Sequence, residues 1–136
     1  MSWRTQVLPA LLLCVAVIGC SRSSPTGQIE LSKNASTVRS QILERVPLGT
    51  PLKEAEEKMR QMGFRCELRK AAMFDDESRG RRQYQRFEKI DYLACSREET
   101  GIEGIRHHLW VVALACSKEE MVTNVFTQVL DRTLAP

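Results

Sequence analysis

Hydrophobic residues change their spacing along this chain, and each change predicts a different element. Val7 to Ile18 is an apolar run broken only by Pro9 and closed by the polar stretch Ser21-Arg22-Ser23-Ser24-Pro25. From Ser36 to Val46 the apolar positions Val38, Ile42, Leu43 and Val46 fall at helical spacing, with Arg39, Gln41, Glu44 and Arg45 on the other side. Pro47 stops that helix, because it has no N–H to donate and its ring obstructs the preceding turn. A second helix follows with its own punctuation. Thr50 can cap it, Pro51 takes the first helical position where a missing N–H costs nothing, and Gly63 supplies the left-handed residue beyond its end. Its buried stripe is Leu52, Ala55, Met59 and Met62, with Phe64 folding back on Met59. Glu54 with Lys58 and Glu56 with Arg60 have the favourable four-residue spacing on the exposed side, each contributing roughly 0.2–0.5 kcal/mol.

After Gly63 the period drops from 3.6 to 2. Phe64, Cys66 and Leu68 alternate with Arg65, Glu67 and Arg69, which predicts a strand with one dry and one wet face. A second strand is expected over Ile90 to Ser96, with Leu93 and Cys95 sharing a face. Leu109 to Cys116 is apolar on both faces, as an interior strand would be, and Met121 to Val129 returns antiparallel after a Ser117-Lys118-Glu119-Glu120 turn. The expected order is α-α-β-β-β-β: an α+β fold in which two N-terminal helices pack on one face of a four-stranded antiparallel sheet. Between the first two strands, residues 70–89 read as a connection of about 20 residues, well above the usual roughly 4–6, and such loops are commonly functional or disordered.

The opening run adds a location. Arg4 and the amino terminus supply positive charge, and a small residue, Gly19, precedes Cys20, so residues 1–19 have the parts of an export signal. The run is short for a membrane span, which needs about 20 apolar residues. Val17-Ile18-Gly19-Cys20 resembles the lipobox of bacterial lipoproteins. That resemblance implies cleavage before Cys20 and acylation of its thiol, leaving the chain tethered to a membrane of the cell envelope; an ordinary secretory signal and an uncleaved anchor are the alternatives. Residues 20–35, rich in Ser, Pro, Thr, Gly and Gln, read as a flexible tether, and residues 36–136 as one α+β domain. Within Asn34-Ala35-Ser36, helix capping is the expected role of the polar residues.

Charge narrows the partners. Removal of residues 1–19 leaves 19 basic against 17 acidic residues, a formal balance of +2. A nucleic-acid binder normally carries a clear basic excess to displace counterions from phosphates, so no nucleic-acid partner is expected. Asp75-Asp76-Glu77 sits among arginines in the long connection, where a solvated mixed-charge segment is the ordinary reading. No nucleophile, zinc or phosphate-cradling motif occurs; neither catalysis nor a cofactor is expected. Adjacent His107 and His108 would point to opposite faces of a strand and make a poor metal pair.

The stretch from Pro47 to Met59, with its Gly49-Thr50 helix start, resembles the small lipoprotein of the outer-membrane β-barrel assembly machinery (BamE/SmpA type) and the related β-lactamase-inhibitor-protein-like fold. The resemblance implies a helical pair before an antiparallel sheet, carried by a lipidated envelope protein. It departs at Met62-Gly63-Phe64-Arg65-Cys66, where those lipoproteins usually continue into Leu-Gly-x-Pro, so an envelope protein that shares the fold is expected rather than a subunit of the machinery.

Cys66, Cys95 and Cys116 each fall on a predicted strand. Export to an oxidising compartment allows one disulfide, and Cys66 with Cys95 is the expected pair because successive antiparallel strands bring same-face residues within about 5.5 Å. Three buried thiols acting as small hydrophobes are the alternative. The expected contact region for an envelope protein partner joins the uncovered sheet face, with Trp110 as anchor, to the basic and aromatic residues Arg81, Arg82, Tyr84 and Phe87 of the long connection. The function expected is that of a non-catalytic binding or scaffold module, on the periplasmic side and with the outer membrane favoured. A soluble periplasmic or secreted inhibitor, or a small-ligand-binding module, is the second reading.

Overall fold

The computed structural model describes residues 29–80, 82–101 and 106–133. Two helices, α1 (Ala35–Arg45) and α2 (Leu52–Gln61), precede four strands, β1 (Arg65–Asp76), β2 (Gln85–Thr100), β3 (Arg106–Cys116) and β4 (Val122–Thr133). The strands form one antiparallel sheet in the order β1-β2-β3-β4, so the fold is α+β. Among the described residues no helix is long and apolar enough to cross a membrane.

Capping chemistry sets the helix ends. Asn34 caps α1 by accepting the Ser36 N–H at 2.9 Å, the role expected of this polar triplet. At the end of α2 the Phe64 N–H donates to the Met59 carbonyl and the Gly63 N–H to the Arg60 carbonyl, each at 3.0 Å, with Gly63 at φ +88°. That bond pattern is a Schellman ending. Both charge pairs on α2 form, Lys58–Glu54 at 2.9 Å and Arg60–Glu56 at 2.6 Å. The start of α2 departs from expectation. Pro51, rather than Thr50, occupies the cap position, and the Thr50 hydroxyl turns back to donate to the Pro47 carbonyl at 2.6 Å. The reason lies in the β3–β4 turn: Gly49 and Leu52 donate to the Val122 and Glu120 carbonyls, and the Val122 N–H donates to Thr50. The backbone of this segment is held across the turn, which leaves the threonine side chain free to brace its own corner.

Two buried clusters divide the interior. Val38, Ile42, Val46, Ala55, Met59 and Met62 share one with Leu93, Cys95, Trp110, Val112, Leu114 and Val125, so the methionine stripe is core. The second is made by the strands alone: Phe74, Tyr92, Ala113 and Phe126, flanked by Phe87, Ile90 and Val111. Along β3 the alternate residues Trp110, Val112, Leu114 and Val111, Ala113, Ala115 enter different clusters, which accounts for a strand apolar on both faces.

The second cluster exists because the β1–β2 hairpin bends. Register runs Arg69↔Tyr92, then Ala72↔Ile90, then Phe74↔Phe87, so β1 carries one extra residue in the first interval and β2 one in the second. These opposed bulges cancel and the register beyond them is restored. Each places a non-glycine residue at positive φ, Ala71 at 46° and Lys89 at 53°, and bulges increase twist and bend a strand. The bent arm lays Phe87 on Phe126, with centroids 4.2 Å apart, and Phe74 edge-on to Tyr92 at 5.7 Å. At its end the Glu77 N–H donates to the Thr127 carbonyl of β4 at 2.9 Å.

Two expectations change here. Residues 70–89 are not a long loop: strand pairing runs to Asp76 and resumes at Gln85, and the bulges had broken the two-residue alternation that would have revealed it. Nor are all of residues 20–35 a tether. Leu31 is buried and Ile29 packs against the first cluster, and the Trp110 indole donates to the Ser32 carbonyl at 2.7 Å. Residues 1–28, including the signal and Cys20, lie outside the described residues.

Candidate functional site

The two outermost strands are finished differently. Along β4 the Val125 carbonyl accepts from Arg39 at 2.9 Å, and Thr127 is bonded at its N–H by the Asp76 carboxylate and at its carbonyl by Glu77. These contacts occupy that edge from Val125 to Thr127. β1 pairs only with β2, and among the described residues its outer backbone from Arg65 to Arg69 has no strand partner. An uncovered edge is a template for another strand.

The same hairpin carries large apolar side chains in solvent: Leu68, Met73 and Tyr84, which are 46%, 53% and 62% exposed. Charged neighbours frame them. Arg69 pairs with Glu67 at 3.3 Å, and Arg86 grips Asp75 through two bonds of 2.8 and 3.1 Å. The Arg86 guanidinium holds the Asp75 carboxyl below the usual carboxylate range. On the inner side, Arg65, Glu67, Arg69, Phe74, Tyr92 and Val111 line a hollow of about 260 Å³.

This geometry redistributes the contact residues expected from sequence. Tyr84 and Arg82 are exposed, one just before β2 and the other in the turn, and Arg81 lies outside the described residues. Phe87 is half-buried against Phe126, so it holds the arm down. Trp110 is 2% exposed, within the first cluster, and its indole N–H is used by Ser32. It is a core residue, not a surface anchor. The sheet face opposite the first cluster is covered in part by the bent arm, around Phe74, Tyr92, Ala113 and Phe126, and the hollow beside Arg65 and Glu67 stays open on it. Leu68 and Met73 were missed. Alternation puts Leu68 on the same face as Cys66, and it does pair with buried Leu93, yet it is exposed at the sheet edge; Met73 falls in the stretch expected to be a loop and lies between the two bulges, also exposed.

Cys66 and Cys95 are direct cross-strand partners with sulfurs 3.0 Å apart. Cys66 is half-buried and Cys95 fully buried. The hydrogen bond shared with Cys95 lowers the Cys66 thiol below the ordinary range, whereas burial pushes the Cys95 thiol well above it. Cys116 is separate and donates to the Asp91 carbonyl at 3.5 Å; burial raises its thiol. His107 and His108 engage different strands, His107 with Thr100 of β2 at 3.2 Å and His108 with Asp131 of β4.

One cation, Arg97, is buried among the described residues. Arg97, 9% exposed, donates to the Ile29 carbonyl at 2.8 Å and the Met62 carbonyl at 3.0 Å, pairs with Glu99, and lies 5.9 Å over the Trp110 ring. In the sequence it stands at an ordinary charged end of a strand, and nothing there marks it as buried.

No family model, curated protein or solved structure matches the chain.

Proposed function

We propose that this chain is a membrane-tethered lipoprotein of the cell envelope, acylated at Cys20, that binds another envelope protein through the β1–β2 hairpin without catalysis. In this reading both helices cover one face of the sheet, an arrangement supported by the cluster they share with alternate strand residues. The body then belongs with the BamE/SmpA-like α+β architecture, and it works on the periplasmic side of the outer membrane. The supporting observation is the contrast between the two sheet edges. β4 is engaged by side-chain and backbone bonds, whereas the outer edge of β1 has no strand partner among the described residues, beside exposed Leu68, Met73 and Tyr84. A partner strand added to β1 would gain main-chain hydrogen bonds, and the flanking apolar side chains would supply selectivity.

The tether fits this role. Eight residues separate Cys20 from Ile29, and an extended chain spans at most about 3.3–3.6 Å per residue. The body would therefore stay within roughly 30 Å of the lipid. The test is photo-crosslinking in intact cells from residues placed at Leu68, Met73 or Tyr84, with Lys53 on α2 as control. Capture of one protein from the hairpin positions and not from Lys53 supports the proposal; equal capture from all positions, or none, overturns it. Cys20→Ser should abolish fatty-acid labelling, and retained label would remove the lipoprotein part.

A further inference from the structure

We propose that Cys66 and Cys95 form a thiol–disulfide exchange site, in which Cys66 meets an external disulfide first and Cys95 resolves the product into an intrachain bridge. This goes beyond the docking role and shares with it only the envelope as a source of disulfide-bearing oxidant.

Register carries the argument. Directly opposed antiparallel residues have Cα atoms about 4.5–5.5 Å apart, inside the roughly 4.4–6.8 Å range of disulfides. The two sulfurs already lie 3.0 Å apart, so a bond of about 2.05 Å requires closure by only about 1 Å. Cys116 is excluded by the same register. Cys95 pairs with Val112, and Cys116 stands four positions farther along β3, about 13 Å away at roughly 3.3 Å per residue. Cys66 is one strand farther still.

Access fixes the order of events. Cys95 is completely buried in the first cluster, so a reagent in solvent reaches Cys66, which is half-buried on the open edge strand. The hydrogen bond shared with Cys95 also favours the Cys66 thiolate, the form that attacks. The thiolate of Cys66 attacks one sulfur of an external disulfide and forms a mixed disulfide. The departing sulfur leaves as a thiolate and takes up the proton that Cys66 lost. Cys95 then gives up its proton to solvent and attacks the Cys66 sulfur, expelling the second external sulfur, which is protonated in turn. The two protein thiols are oxidised to one disulfide, and the external disulfide is reduced to two thiols.

Two measurements on the purified full-length chain test this. Reduced protein exposed to limiting iodoacetamide should label Cys66 at least about tenfold faster than Cys95, from its exposure and larger thiolate fraction, and faster than Cys116 from its thiolate fraction alone. Treatment with oxidised glutathione should yield a Cys66–Cys95 bridge in non-reducing peptide maps, with Cys116 not bridged. Cys95→Ala should instead retain glutathione on Cys66. First labelling among the three domain cysteines at Cys95 or Cys116, a bridge to Cys116, or Cys66 and Cys95 both still free after oxidised glutathione would overturn the proposal. The labelling order is read on the unmodified sequence, so it stands even if Cys95→Ala misfolds. A chain that is cytosolic in fractionation but gives these results would remove the envelope reading and leave the exchange chemistry intact.

Discussion

The Asp76 carboxylate accepts the Thr127 backbone N–H at 2.9 Å, joining the far end of β1 to β4 across 51 positions of the chain. Thr127 is fully buried, and the same carboxylate also orders the turn by accepting the Ser78 N–H at 3.2 Å and hydroxyl at 2.7 Å. Removing it strands a donor where water does not reach. Asp76→Ala should therefore cost about 1–3 kcal/mol, read as a lower urea midpoint. Asp76→Asn keeps an acceptor oxygen and should recover part of the loss. Equal losses in the two variants would show that the bond to Thr127 is not what holds the arm.

The bend itself rests on backbone conformations that side chains disfavour. Ala71 has φ 46°, and its N–H, freed from the ladder by the bulge, is satisfied by the Asp91 carboxylate at 2.8 Å. Ala71→Gly should raise stability by up to about 1 kcal/mol, because glycine adopts this region without the Cβ conflict. Ala71→Val should destabilise instead. A lower urea midpoint for the glycine variant would mean that the alanine methyl contributes more by contact than it costs by strain.

The legible parts of this fold are those whose signal is local. Gly63 after a Met59–Met62 stripe specified both the helix end and its buried face, and Cys66 opposite Cys95 followed from counting along two alternating strands. What escaped the sequence depends on residues far apart. Alternation fails between Arg69 and Phe74 because one strand and then the other carries an extra residue, and neither Ala71 nor Lys89 belongs to a residue type that marks a bulge. The strands therefore looked like a loop, and Phe87 and Trp110 looked available for binding when Phe126 and Ser32 already engage them. The open edge of β1 was hidden for the same reason: a strand's position in its sheet is a property of pairing, not of composition.

Arg97 makes the docking of residues 29–32 testable. Its guanidinium donates to Ile29 and Met62 carbonyls from a site only 9% exposed, so truncation leaves two acceptors without their charged donor. Arg97→Ala should cost about 1.5–3 kcal/mol and speed amide exchange at residues 29–32. Arg97→Lys, a point charge without the planar fork, should fall between. Unchanged exchange in that segment despite a lower melting temperature would assign the loss to the core around Trp110 instead.

Asp75 and Arg86 give a pH dependence whose sign is fixed by the direction of the shift. The bidentate bond from Arg86 lowers the Asp75 pKa in the folded chain, so the native state favours the carboxylate more than the unfolded chain does. The stability this contributes is complete above the unfolded value, about 3.9 for aspartate, and is lost as pH falls through the lower folded value. Arg86→Gln should therefore be less stable than the parent at neutral pH, with the two stability curves converging as the solution is acidified below about 4. The pair stands largely in solvent, where ion pairs are weak and salt screens them, so the gap at neutral pH should be small and should narrow in high salt. Carboxyl titration followed by NMR should place Asp75 of the variant nearer the ordinary aspartate value than in the parent. If Asp75 titrates identically in both chains, the arginine does not hold this carboxylate, and the ordering of the arm's outer end must be assigned to the bonds of Asp76 and Glu77 to Thr127.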